Sequence, residues 1–208
     1  MRWILCAMLL LALLAGVRPA GATVGGERLC EVLGYEPSTQ RVYVREHDGS
    51  GAASFGFVSF LTVTGEDAGT LHSAGWGRAG ENSAEDPELA RRLAALRAKL
   101  TPLRPLIWPA LPFASRVAAS DSVANELGVS RRLRVRASFD SRLDLDVTCW
   151  RSDDVVRPAV FELPGGMGWI WVVAFVGDPF ETGYETQVPL LVRPGDSGVR
   201  AVEWRPRP

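Results

Sequence analysis

The chain has 208 residues, a formal net charge of −1 and 47% hydrophobic residues, with seven Trp. That composition excludes a disulfide-dense miniprotein and a disordered tail, and the near-zero charge supplies no global field to select nucleic acid or an anionic membrane. Lys99 is the only lysine, an arginine preference that reads as a GC-rich, bacterial genome.

Arg2 precedes an apolar run from Trp3 to Val17, which Arg18-Pro19 closes and Ala20-Gly21-Ala22 follows. A basic start, a short apolar middle and small residues at an A-x-A site predict a secretory signal peptide over residues 1–22. Ala20 and Ala22 mark the cleavage site, and Thr23 becomes the mature N-terminus. The rival reading is an uncleaved anchor. A spanning helix needs about 20 apolar residues, and this run is shorter, so no stable membrane span is expected after cleavage. Residues 23–208 fit the length of one domain. Cys6 leaves with the signal. Cys30 and Cys149 remain, an even pair in a compartment that permits disulfides, and neither lies in a C-x-x-C. A Cys30–Cys149 bond is expected, worth about 4–5 kcal/mol in the chain-entropy account. The alternative is two buried free thiols.

The first third reads as strands. Leu29 to Tyr35 is one, and Glu36-Pro37-Ser38-Thr39 turns the chain. Arg41 to Glu46 is the next, with Val42 and Val44 on one face and Arg41, Tyr43 and Arg45 on the other. Phe55 to Thr64 is apolar at both parities and is expected to be covered on both faces. Gly65 to Glu85 reads as a long surface loop holding one short strand near Thr70 to Ser73.

One helix follows. Asp86 suits the N-cap, Pro87 the first helical position and Glu88 the positive end of the dipole. Leu89, Leu93, Leu96 and Leu100 make one stripe, with Arg91, Arg92, Arg97 and Lys99 off it, and Pro102 ends the pattern. Prolines and apolar residues from Pro102 to Pro112 predict an extended, packed crossover. Ser120 to Gly128 carries a cap and a stop for a short helix.

The remainder reads as β. Arg132 to Phe139 and Arg142 to Trp150 both alternate, and parity restricts how they pair. A three-residue loop, Asp140 to Arg142, sets Phe139 opposite Leu143 and Arg136 opposite Asp146. A two-residue loop mixes the faces. Val155 to Leu163 follows, with Pro158 marking an edge or a bulge. Pro164-Gly165-Gly166 turns the chain into Trp169 to Val176, whose length and residue types are those of a central strand. Gln187 to Val192 and Val199 to Trp204 are the last strands. The fold class expected is α+β, mostly antiparallel β as a sheet or sandwich, with one amphipathic helix packed on it.

No motif specifies chemistry. Glu46-His47-Asp48 resembles a catalytic cluster on paper, but adjacent residues of an extended chain point to opposite faces, and no G-x-S-x-G is present. Asp144 and Asp146 share a strand face and with Glu162 or Asp153 suggest calcium, but cross-strand arginines explain them more simply. Asp140, Asp144, Asp146, Glu162 and Glu185 offer carboxylate pairs without a reason to choose two. No cofactor or metal is assigned, and the reading leans away from an enzyme. The function expected is binding or assembly at the cell envelope, with an envelope protein or glycan as partner and no nucleic acid. The alternatives are a secreted hydrolase around His47 and His72, and a small-ligand carrier with a Trp-lined pocket, drawn from Trp150, Trp169, Trp171 and Trp204.

Overall fold

A computed structural model describes residues 28–48, 55–78, 87–106, 113–125, 128–139, 143–150, 157–176 and 185–202. The expected signal segment, with Ala20 and Ala22, lies outside them. Among the described residues the protein is β-rich, with two mixed sheets and one α-helix. The elements are β1 (Arg28–Glu36), β2 (Arg41–Asp48), β3 (Phe55–Thr62), β4 (Leu71–Arg78), α1 (Pro87–Arg97), β5 (Pro105–Leu106), β6 (Phe113–Asn125), β7 (Gly128–Phe139), β8 (Leu143–Trp150), β9 (Arg157–Glu162), β10 (Trp169–Val176), β11 (Glu185–Val192) and β12 (Gly198–Val202).

Eight strands form one sheet in the order β4-β3-β2-β1-β11-β10-β9-β5, and four form another in the order β12-β8-β7-β6. Strand β1 runs parallel to β11 and β12 parallel to β8. The other pairs are antiparallel.

Side-chain alternation explains how the apolar residues divide. On β10, Trp171, Val173 and Phe175 join Leu133, Val135, Leu145, Val147 and Cys149 of the small sheet in one buried cluster. The alternate residues Ile170 and Val172 join Cys30, Val42, Val44, Leu61 and Leu191 in a second cluster. Strand β10 therefore has a buried face on each side, as its unbroken apolar sequence requires. Val58, on the other face of β3 from Leu61, meets Leu89 and Leu93 of α1 in a third cluster. Cover on both faces of β3 is what its two apolar parities predict.

Helix α1 starts at Pro87 with Glu88 in its first turn, as expected, and Glu88 pairs with Arg91 and Arg92. It ends at Arg97, earlier than the leucine stripe, so buried Leu100 follows in a turn. Thr101 then exchanges backbone hydrogen bonds with Tyr35 of β1 at 2.7 and 2.9 Å. Gly34 makes this approach possible. Its φ is +144°, and a Cβ there would stand 2.8 Å from the Thr101 carbonyl oxygen. From Thr101 the chain packs Leu103 against the second cluster and reaches β9 as β5. The expected proline-rich crossover thus lies across one face of the large sheet as far as Leu106.

The β7–β8 hairpin has the register that parity and charge predict, with Phe139 opposite Leu143 and Arg136 opposite Asp146. The ion pairs run diagonally: Arg134 Nε lies 3.3 Å from Asp146 Oδ1, and Arg136 Nε 3.7 Å from Asp144 Oδ2. Two local expectations are corrected. Ser120 to Gly128 is not a helix; its residues through Asn125 belong to β6, which pairs along β7. A cap and a stop are weak signals against a neighbouring strand that offers a full ladder of hydrogen bonds. Within the expected 65–85 loop, β4 spans Leu71–Arg78, with a bulge opposite Val58 and Ser59 that the period-two pattern does not reveal.

Candidate functional site

Where the face of β9, β10, β11 and β1 meets the end of the crossover there is a cavity of about 340 Å³. Val172 and Ala174 of β10, Val160 and Phe161 of β9, Leu106 of β5 and Cys30 of β1 make it apolar. Its polar groups come from Glu185 and Gln187 of β11. These two are pre-arranged. Gln187 Oε1 accepts the Cys30 backbone N–H at 2.8 Å, and Gln187 Nε2 donates to Glu185 Oε1 at 2.6 Å. An apolar hollow with a few fixed polar groups is the usual form of a small-molecule site.

Cys30 is buried, and burial pushes its thiol far above the ordinary range, with Glu46 and Glu31 adding to the effect. It is a neutral thiol at physiological pH, and the thiolate is the nucleophile. Its part in the cavity is therefore packing. The expected Cys30–Cys149 bond is a correction: no disulfide joins the two cysteines, and both are buried. Cys30 belongs to the cluster of the large sheet, and Cys149 to the cluster to which both sheets contribute. Burial of both does not bring them to one place.

The two histidines do not form one site. His47 Nε2 lies 3.9 Å from Glu31, and His72 Nε2 lies 3.2 Å from Asp67. His47 stands opposite Gly56 and His72 opposite Phe60. Four residues of β3 separate those points, about 13 Å by strand rise. His72 instead stacks on Phe60, ring centroids 5.2 Å apart, while the Arg41 guanidinium sits 4.1 Å from the same ring. Burial holds the His47 imidazole below the usual histidine range, and nearby Arg45 pushes the same way against Glu31.

The tryptophans of the expected ligand pocket are core residues where described. Trp171 is fully buried in the cluster to which both sheets contribute, and Trp169 packs against the same cluster. The side chains of Trp150 and Trp204 lie outside the described residues. Asp144 and Asp146 pair with Arg136 and Arg134, Glu162 is exposed, and Asp140 and Asp153 lie outside the described residues. Among the described residues no three His, Cys, Asp or Glu side chains converge as a metal site, and no helix is long and apolar enough to cross a membrane.

Sequence reasoning missed Gln187. It shares its strand face with Glu185 and with Pro189 and Leu191, both buried, and a polar pair that continues an apolar face is the signal that points to it. The chain matches no family model, no curated protein and no solved structure.

Proposed function

We propose that this is an exported bacterial protein that acts by binding at the cell envelope, and that its ligand is a small apolar molecule held beside Cys30, Val172 and Ala174. The cavity of about 340 Å³ carries this reading. Its walls remove apolar surface from water, and the Gln187–Glu185 pair offers an anchor for a ligand's polar end. The scaffold we infer is a two-layer sandwich filled by the Trp171 cluster, with an amphipathic helix packed by its leucine side. The cleaved signal over residues 1–22 belongs to the same proposal.

The test begins with the intact mass of the protein recovered from the exported fraction of a bacterial host. A start at Thr23 is expected, and a full-length mass sinks the export reading. The recovered protein is then titrated with N-phenyl-1-naphthylamine, a neutral apolar fluorophore. Saturable enhancement is expected, abolished by Ala174→Trp, which fills the cavity, and retained in Ala201→Trp on the exposed face of β12. Equal enhancement in both variants rejects the cavity.

A further inference from the structure

The small sheet carries a second hollow, about 450 Å³, on the face turned away from the buried cluster. Its floor is the bulge of β6, where Val117, Ala118 and Ala119 leave room that longer side chains would fill. Arg116, Arg134 and Arg136 rim it, together with Asp146.

The charges are not balanced. Arg116 and Arg136 are direct cross-strand partners, and like charges in that position destabilise a strand pair. Asp146 lies 3.3 Å from Arg134 and Asp144 3.7 Å from Arg136, so among the described residues two acids meet the three guanidinium groups of the hollow. The Nε of Arg136 and the Oδ1 of Asp146 are both buried, and neither has a hydrogen-bond partner. A buried N–H left in that state costs free energy, and more so when the group is charged. An oxyanion over the bulge relieves the repulsion between Arg116 and Arg136. It accepts from Arg136 and lies between two positive groups that otherwise repel. The planar fork of arginine matches phosphate oxygens.

We propose that the Arg116–Arg134–Arg136 hollow binds a phosphate group, either free or carried on a lipid headgroup. The site is independent of the apolar cavity and lies on the other sheet. The test titrates the full protein at low salt with inorganic phosphate by calorimetry, and with phosphatidylglycerol vesicles by sedimentation. Arg116→Gln and Arg136→Gln are compared with Arg91→Gln, which removes the same charge from the exposed side of α1. Circular dichroism checks that each variant is folded; Arg116 is exposed, so its variant tests the site even where Arg136→Gln disturbs the sheet. Saturable binding that weakens about ten-fold or more in the two hollow variants and not in Arg91→Gln is expected. Calorimetric saturation with that pattern assigns free phosphate, and vesicle binding with that pattern assigns the headgroup. Absence of binding to both probes, or equal weakening in Arg91→Gln, overturns the proposal.

Discussion

Gly168 shows how much one position constrains this fold. Its φ is +123°, and a Cβ there would stand 2.2 Å from the Val192 carbonyl oxygen. That oxygen is backbone at the end of β11, so nothing flexible can give way. Gly168→Ala is expected to cost about 3 kcal/mol or more, read from the urea midpoint. Cys30 supports a chemical prediction. A buried, neutral thiol should react with a water-soluble disulfide reagent far more slowly in the native protein than in denaturant, at neutral pH. Equal rates would reject its burial. His47 sets a pH dependence. Its imidazole titrates below the usual range because it is desolvated and lies near Arg45. Between its lowered native value and the unfolded value of about 6.5, the unfolded chain binds more protons. Stability from this group is therefore full above that range and falls as pH drops through it. Removing the group in His47→Gln should flatten the stability profile between pH 7 and 5, and an unchanged slope would assign it to other residues.

Among the elements, the β7–β8 hairpin was the most legible, because two local rules agree. Parity restricts the register, and opposite charges select among what parity allows. The salt bridges nonetheless cross on the diagonal, since long arginine side chains lean along the strand and reach the next acid. Strand β6 was the least legible. Ser120 and Asp121 look like caps, but what makes them strand is the ladder that β7 presents. Asp121 is Arg132's cross-strand partner, and its two carboxylate oxygens accept from Arg132 at 3.2 and 2.6 Å. That pairing is visible only once the hairpin is known. The Ala118 bulge is likewise silent in the sequence. For α1 the prediction concerns its buried side. Leu93→Ala removes a leucine that packs with Val58 and Leu89, and a loss of about 2–3 kcal/mol is expected. Arg91→Ala, on the exposed side, should leave the midpoint nearly unchanged.

At the scale of the molecule, the features hidden from the sequence are the non-local ones. After β11 the chain leaves the large sheet, β12 joins the small one in parallel beside β8, and no local pattern announces that transfer. Asp196 secures it by accepting from the Arg193 backbone N–H at 3.0 Å and from Arg200 at 2.9 Å. Arg200 also donates to the Leu191 carbonyl oxygen, which ties β12 back to β11. The cavity is non-local too: it needs β1, β5, β9, β10 and β11 together, so Cys30 and Gln187 become neighbours 157 positions apart. These connections and the two buried faces of β10 couple the two sheets. One side of β10 joins the cluster to which both sheets contribute, and the other side joins the cluster of the large sheet. Loss of the small sheet would strip cover from Trp171, Val173 and Phe175, so the two halves should unfold as one unit. The two cysteines are placed to measure this, Cys30 in one cluster and Cys149 in the other. In a urea series their alkylation should rise at the same midpoint. Leu145→Ala, fully buried in the small sheet, should cost about 2–5 kcal/mol. It should shift both cysteine transitions together, although Cys30 lies outside its cluster. A shift confined to Cys149 would mean that the small sheet opens while the large sheet holds.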